Sequence, residues 1–166
     1  DLAIAAYDLI SSGLERILIV DLDVHHGNGT ADIVGEDPHI FTFSMHGANN
    51  YPLDKPPSSL DIALPDHTGD AEYLALLRHA LDTILPSFQP QVALYQCGVD
   101  VLESDKLGRL SMSLQGCAQR DHMVLSACRE FGIGVACAMG GGYSPQLNTI
   151  VSAHTNTFRI ARDIWT

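Results

Sequence analysis

Basic residues are scarce in this chain. Nine Lys and Arg stand against 20 Asp and Glu in 166 residues, a formal net charge of −11 at pH 7. Such a surface repels phosphate backbones, which sets direct nucleic-acid binding aside. It suits a cationic substrate, although acidic chains are common enough that charge alone decides nothing. No apolar run reaches the roughly 18 residues that span a bilayer, and no basic-then-apolar leader opens the chain. The expectation is a cytoplasmic or otherwise intracellular protein with no membrane partner. Cys97, Cys117, Cys128 and Cys137 form no CxxC pair and lie in apolar segments, so they read as buried free thiols. Charged residues make up only 17% against 46% apolar, a balance that excludes disorder. Repeats, low-complexity tracts and linkers are also missing, so residues 1–166 read as one domain. Neither GxGxxG nor GxxxxGK[ST] follows the first strand, which argues against a nucleotide-binding site there.

What is present is an alternation of buried strands and amphipathic helices. Leu2, Ala5, Ala6, Leu9 and Ile10 keep helical spacing, with Gly13 as a stop. Strands are expected over Arg16–Asp21, His39–Ser44, Leu60–Leu64, Gln91–Gln96 and Gly134–Met139, where β-branched residues concentrate. One helix is expected behind Asp70 as cap, with Leu74, Leu77, Leu81 and Leu85 on one face, and a second from Leu114 to about Phe131. Ser144–Pro145 reads as the start of a last helix with Leu147, Ile150, Val151 and Phe158 turned inward. The polar stretch Gly47–Ser59 reads as a loop at one sheet edge. This pattern specifies an α/β fold, a three-layer open parallel sheet with helices on both faces.

Ligands of such sheets bind beyond the carboxyl ends of the strands. Four unusual clusters fall there: DLDVHHGNG from Asp21, MHGANNY from Met45, GVD from Gly98, and GGGY from Gly140. Asp23 and His25, two residues apart, aim to one side, and Asp100 ends another strand. A set of two carboxylates and one imidazole suits zinc or another first-row divalent ion, with a coordination position left open for water and substrate. Asp21 supports this set from behind. His26 points away and reads as packed, and His39, His46, His67, His79, His122 and His154 show no ligand spacing. The glycines before Tyr143 permit close backbone approach to a ligand. The phenol itself can donate to a developing oxyanion, although GGGY alone equally fits a tight turn or a phosphate cradle.

Together these residues resemble the zinc-dependent histone deacetylase family, of the arginase/deacetylase fold. IVDLDVHHGNGT (Ile19–Thr30) is similar to that family's metal-binding signature, GGGY to its tyrosine motif, and GVD with L-x-x-D-x-L-G (Leu102–Gly108) to its third-ligand segment. NYP and SLDIALPDHTGD resemble bacterial and plant-type members. The resemblance implies one Zn2+ per chain on Asp23, His25 and Asp100, with Tyr143 as the catalytic residue that polarises an acetyl carbonyl. It also implies a monovalent-cation site, K+, at Asp21, Ser44 and Met45 beside Asp23 and His25. Tyr51, Leu107, Gly141 and Gly142 would line an acyl-lysine tunnel. The implied substrate is an acylated lysine or polyamine.

Two departures from the family pattern stand out. Ser104–Asp105–Lys106 replaces a GDP string, which bears on the loop there. The family's His-His pair, its proton-transfer machinery, lies before the helix that opens this chain, so the expectation is a C-terminal portion of the catalytic domain with the N-terminal part missing. Two other readings stay open at this point: a catalytically inactive zinc-binding remnant, and a ureohydrolase-like enzyme with two metals. The second is less well matched, because two Asp residues precede His25 where a ureohydrolase places His between them.

Overall fold

The computed structural model describes all 166 residues. In chain order the elements are α1 Leu2–Ser11, β1 Ile17–Asp21, α2 Asn28–Val34, β2 Ile40–Gly47, β3 Leu60–Leu64, α3 Asp70–Phe88, β4 Val92–Gln96, α4 Leu114–Glu130, β5 Gly134–Ala138 and α5 Leu147–Trp165. The five strands form one sheet in the order β3-β2-β1-β4-β5, and every neighbouring pair is parallel. No helix is long and apolar enough to cross a membrane.

Alternation along β1 explains the two covered faces. Leu18 and Val20 join a large core cluster with residues of α3 and α4, including Leu77, Leu81, Val124 and Leu125. Ile17 and Ile19 face the other way, into a smaller cluster with Ala3 and Ala6 of α1 and Val34 of α2. A strand buried on both faces needs apolar side chains at every position, and ILIV supplies them. α1 ends before Gly13, whose φ of 101° takes a backbone conformation that other residues avoid.

The strand order reverses direction at β1. The chain first steps outward through β2 to β3, then returns to place β4 on the opposite side of β1. That switch point opens a crevice between the loops leaving β1 and β4, the position where parallel α/β sheets bind ligands.

Four expectations need correction. α3 starts at Asp70 with Gly69 as its N-cap residue, and the Asp70 carboxylate instead accepts from the amide and hydroxyl of Ser113, at 2.8 and 2.5 Å. Ser113, not Ser144, provides a helix cap, its hydroxyl accepting from the Gly116 amide at 2.9 Å. α5 begins at Leu147, two residues beyond Pro145. Leu147, Val151 and Phe158 are exposed, whereas Ile150 packs on the core with Ala153 and Thr157 buried beside it. Small side chains let α5 lie close to α4, and that contact outweighed the apolar stripe. Cys97, Cys117 and Cys128 are buried free thiols, but Cys137 on the edge strand β5 is exposed.

Candidate metal centre

The loop after β1 is coiled by its own aspartates. The Asp23 amide donates to Asp21 Oδ1 at 3.1 Å, and the His25 amide donates to Asp23 Oδ1 at 2.9 Å. Two such successive turns, each a short carboxylate capping an amide two residues on, hold Asp23 and His25 on one side. Across the switch point, Asp100 follows β4 and its Oδ1 accepts from the Val24 amide at 3.0 Å. One carboxylate oxygen thus fastens the two loops while the other faces His25. His25 Nδ1 lies 3.0 Å from Asp23 Oδ1 and 3.2 Å from Asp100 Oδ2, and the donor atoms of all three residues fall within 4.8 Å of one another.

The arrangement is electrostatically unfinished. An Nδ1 nitrogen carries at most one proton and cannot satisfy both carboxylates. Asp100 is 1% exposed, and its Oδ2 has no hydrogen-bond partner. The two facing carboxylates, Asp100 foremost and then Asp23, push the His25 imidazole up to about 10. Burial raises the Asp100 carboxyl above the usual range. Burial also works to raise Asp23, but its bonds with His25 prevail and hold it below that range. A divalent cation among the three would neutralise both carboxylates and accept the imidazole lone pair, so the donor set fits a first-row metal.

Glycines let the backbone close over these side chains. A Cβ on Gly98 would overlap the Asp23 carboxylate, and one on Gly141 would overlap that of Asp100. Gly141 and Gly142 also have φ of 58° and 105°. The GGGY turn therefore lies directly against the Asp100 carboxylate. Tyr143 is half exposed, and its amide donates to Asp105 Oδ2 at 2.6 Å. Asp105 Oδ1 accepts from the amides of Leu107 and Gly108 at 2.8 and 2.9 Å. The loop that departs from the family string thus contributes the residue that ties the tyrosine turn in place. The D of L-x-x-D-x-L-G carried that signal, but read alone it had no partner.

Other expected residues sit further out. Tyr51 and Leu107 are 74% and 54% exposed, and their loops are joined by the buried Asn50, which donates to the Leu107 carbonyl at 2.8 Å and accepts from the Arg109 amide at 3.2 Å. Tyr51 lines an open groove of about 600 Å³ with Asn28, Asp32 and Asp54, and none of the three metal-ligand candidates lines it. Asp21 and Ser44 are register partners on β1 and β2. Burial, with the Asp23 charge next in importance, pushes Asp21 up to about 8. Ser44 Oγ bonds to His46 Nδ1 at 3.0 Å, and the Met45 side chain is buried in the core. His26 turns away from Asp23, as its parity indicates, and meets Asp61 Oδ1 at 3.0 Å. With His46 these residues form a second group of convergent donors. Sequence spacing hid it because β2 and β3 bring His46 and Asp61 in from elsewhere.

A five-stranded parallel sheet with helices on both faces and an Asp-His-Asp trio of convergent donors at its switch point defines an arginase/deacetylase-type fold. The chain belongs to the family described as "Histone deacetylase domain", whose model matches residues 1–158. It is 45% identical over 166 residues to an uncharacterized protein of Picosynechococcus sp., covering 99% of this chain and 55% of that protein. To histone deacetylase 2 of Arabidopsis thaliana it is 34% identical over 133 residues, 78% of this chain and 34% of the relative. Among solved structures, the HDA15 HD domain is similar with a TM-score of 0.80 and 26% identity, covering 97% of this chain and 49% of that one. The acetylpolyamine aminohydrolase of Burkholderia pseudomallei, at 20% identity and a TM-score of 0.83, shares the fold over 98% of this chain and 49% of its own. The chain spans about half the length of these solved structures.

Proposed function

We propose that this chain forms the metal-binding portion of a zinc-dependent amide hydrolase acting on acetylated lysine or acetylated polyamine. The convergence of His25 Nδ1 with Asp23 Oδ1 and Asp100 Oδ2 at 3.0 and 3.2 Å carries this reading. Bound zinc would supply a Lewis acid and a means of activating water. Asp23, His25 and Asp100 hold it, and Asp21 fixes the Asp23 backbone. Tyr143 donates its phenolic proton as a hydrogen bond to the substrate carbonyl oxygen while negative charge grows there. Asp105 holds the Tyr143 backbone for that task. Gly141 leaves room beside Asp100 and Gly142 beside Val99 and Ile150, and Tyr51 and Leu107 flank the acyl chain. The proton-transfer role falls to the histidine pair that the family resemblance places outside these residues.

Hydrolysis of a fluorogenic acetyl-lysine peptide and of an acetylated polyamine tests the proposal. The chain is assayed alone and mixed with the preceding half of the Picosynechococcus relative. Activity of the mixture should exceed that of the chain alone by about 10²–10⁴, the usual worth of general acid–base groups. A zinc-loaded mixture that forms a complex yet hydrolyses neither substrate would support an inactive zinc-binding role instead. Two bound manganese ions per chain would support the ureohydrolase chemistry.

A further inference from the structure

A buried arginine spans the two loops that carry the metal ligands. Arg120 lies in the middle of α4 and is 0% exposed. Its Nη1 donates to the carbonyl of Gly98 at 2.6 Å and to that of Leu22 at 3.2 Å, and its Nη2 to that of Cys97 at 3.4 Å. Leu22 immediately precedes Asp23, and Gly98 stands two residues before Asp100. Gly98 also lies so close to Asp23 that a Cβ would overlap the carboxylate. The guanidinium therefore grips the β1 loop and the β4 loop together, directly beneath the ligands.

Its charge is answered elsewhere. Arg120 Nε and Nη2 meet Asp121 Oδ1 at 3.0 and 2.8 Å. Asp121 accepts in addition from Tyr95 Oη and Thr157 Oγ1, both at 2.6 Å. A buried ion pair of this kind is not an efficient source of stability, since desolvation offsets the attraction and apolar replacements are often neutral. What an apolar pair cannot supply is a rigid fork of five N–H donors that reaches three carbonyls on two separate chain segments.

We propose that Arg120 is a positioning residue for the metal centre: it sets the separation of the Asp23 and Asp100 loops so that their carboxylates meet His25. This rests on the reading of Asp23, His25 and Asp100 as metal ligands. With Asp121 neutralising it, Arg120 acts through geometry, so another cation does not replace it.

Three variants separate this role from a structural one, read by zinc affinity in chelator competition and by thermal midpoint of the metal-free chain. Arg120→Lys keeps the charge but loses the fork, and its zinc dissociation constant should rise about 10–100-fold, the usual cost of losing groups that orient metal ligands. Asp121→Asn should lower the thermal midpoint yet leave zinc affinity within about threefold of the parent, because the carbonyl grip persists. The double variant Arg120→Met with Asp121→Leu removes both charges and leaves no orphaned ion. It should recover thermal stability but not zinc affinity. Restored affinity in the double variant, or unchanged affinity in Arg120→Lys, overturns the proposal while leaving the metal reading intact. A folded parent chain without zinc affinity overturns both.

Discussion

His25 sits between two carboxylates that compete for one proton, and this has consequences that can be titrated. In the metal-free chain its imidazole is raised from 6.5 to about 10 by Asp100 and Asp23. That pairing contributes stability fully present below pH 6.5 and lost progressively as pH rises toward 10. Zinc has to displace the same proton, so binding at pH 7.5 should release about one proton per site and tighten as pH rises. Calorimetry in buffers of different ionisation enthalpy reads this, and a binding heat independent of buffer contradicts it. His46 has the opposite sign: burial, with His26 beside it, lowers it to about 4. Its contribution is present above pH 6.5 and lost as pH falls toward 4, a loss on the order of 2 kcal/mol. Urea midpoints between pH 7 and 4.5 should fall more for the parent than for His46→Gln. At this scale the convergence of Asp23, His25 and Asp100 was legible because DLDVHH and GVD place donors just past two strands. The roles of Asp105, Asn50 and Arg120 were not, since each acts on backbone groups distant in sequence.

The elements show where periodicity stops being informative. All five expected strands form, because β-branched runs between turns leave a buried strand few alternatives. The Asp70 carboxylate binds Ser113 across the fold instead of capping its own helix α3, and α5 starts at Leu147 rather than directly behind Ser144. On α5 the exposed apolar stripe makes a specific forecast. Phe158→Ser should change stability by no more than about 0.5 kcal/mol, whereas a bulky Leu at the buried Ala153 should cost about 1–3 kcal/mol by overpacking. Equal costs in urea unfolding would show that Phe158 is buried after all. The GGGY turn supplies a second test. Gly141→Ala combines a φ of 58° with a Cβ placed into Asp100. It should weaken zinc binding about 10-fold or more, in line with the effect of disturbing ligand-supporting groups.

For the molecule as a whole, the topology places the centre. Reversal of strand order beside β1 brings the β1 and β4 loops together, and the three candidate ligands occupy both sides of that crevice. No local pattern announces this reversal, which is why the sequence points to a shared rim but not to the contact between Val24 and Asp100. The open edge at β5 leaves Cys137 as the exposed thiol among four. One equivalent of maleimide should react with the native chain and four after unfolding. The proposed hydrolase chemistry depends on a cation-binding trio, and direct zinc titration of the metal-free chain tests for it. One zinc ion per chain should bind, with Asp100→Asn and His25→Ala each removing that binding while circular dichroism still reports a folded α/β protein. A folded parent chain that takes up no zinc, or an Asp100→Asn variant that binds it undiminished, would contradict the account.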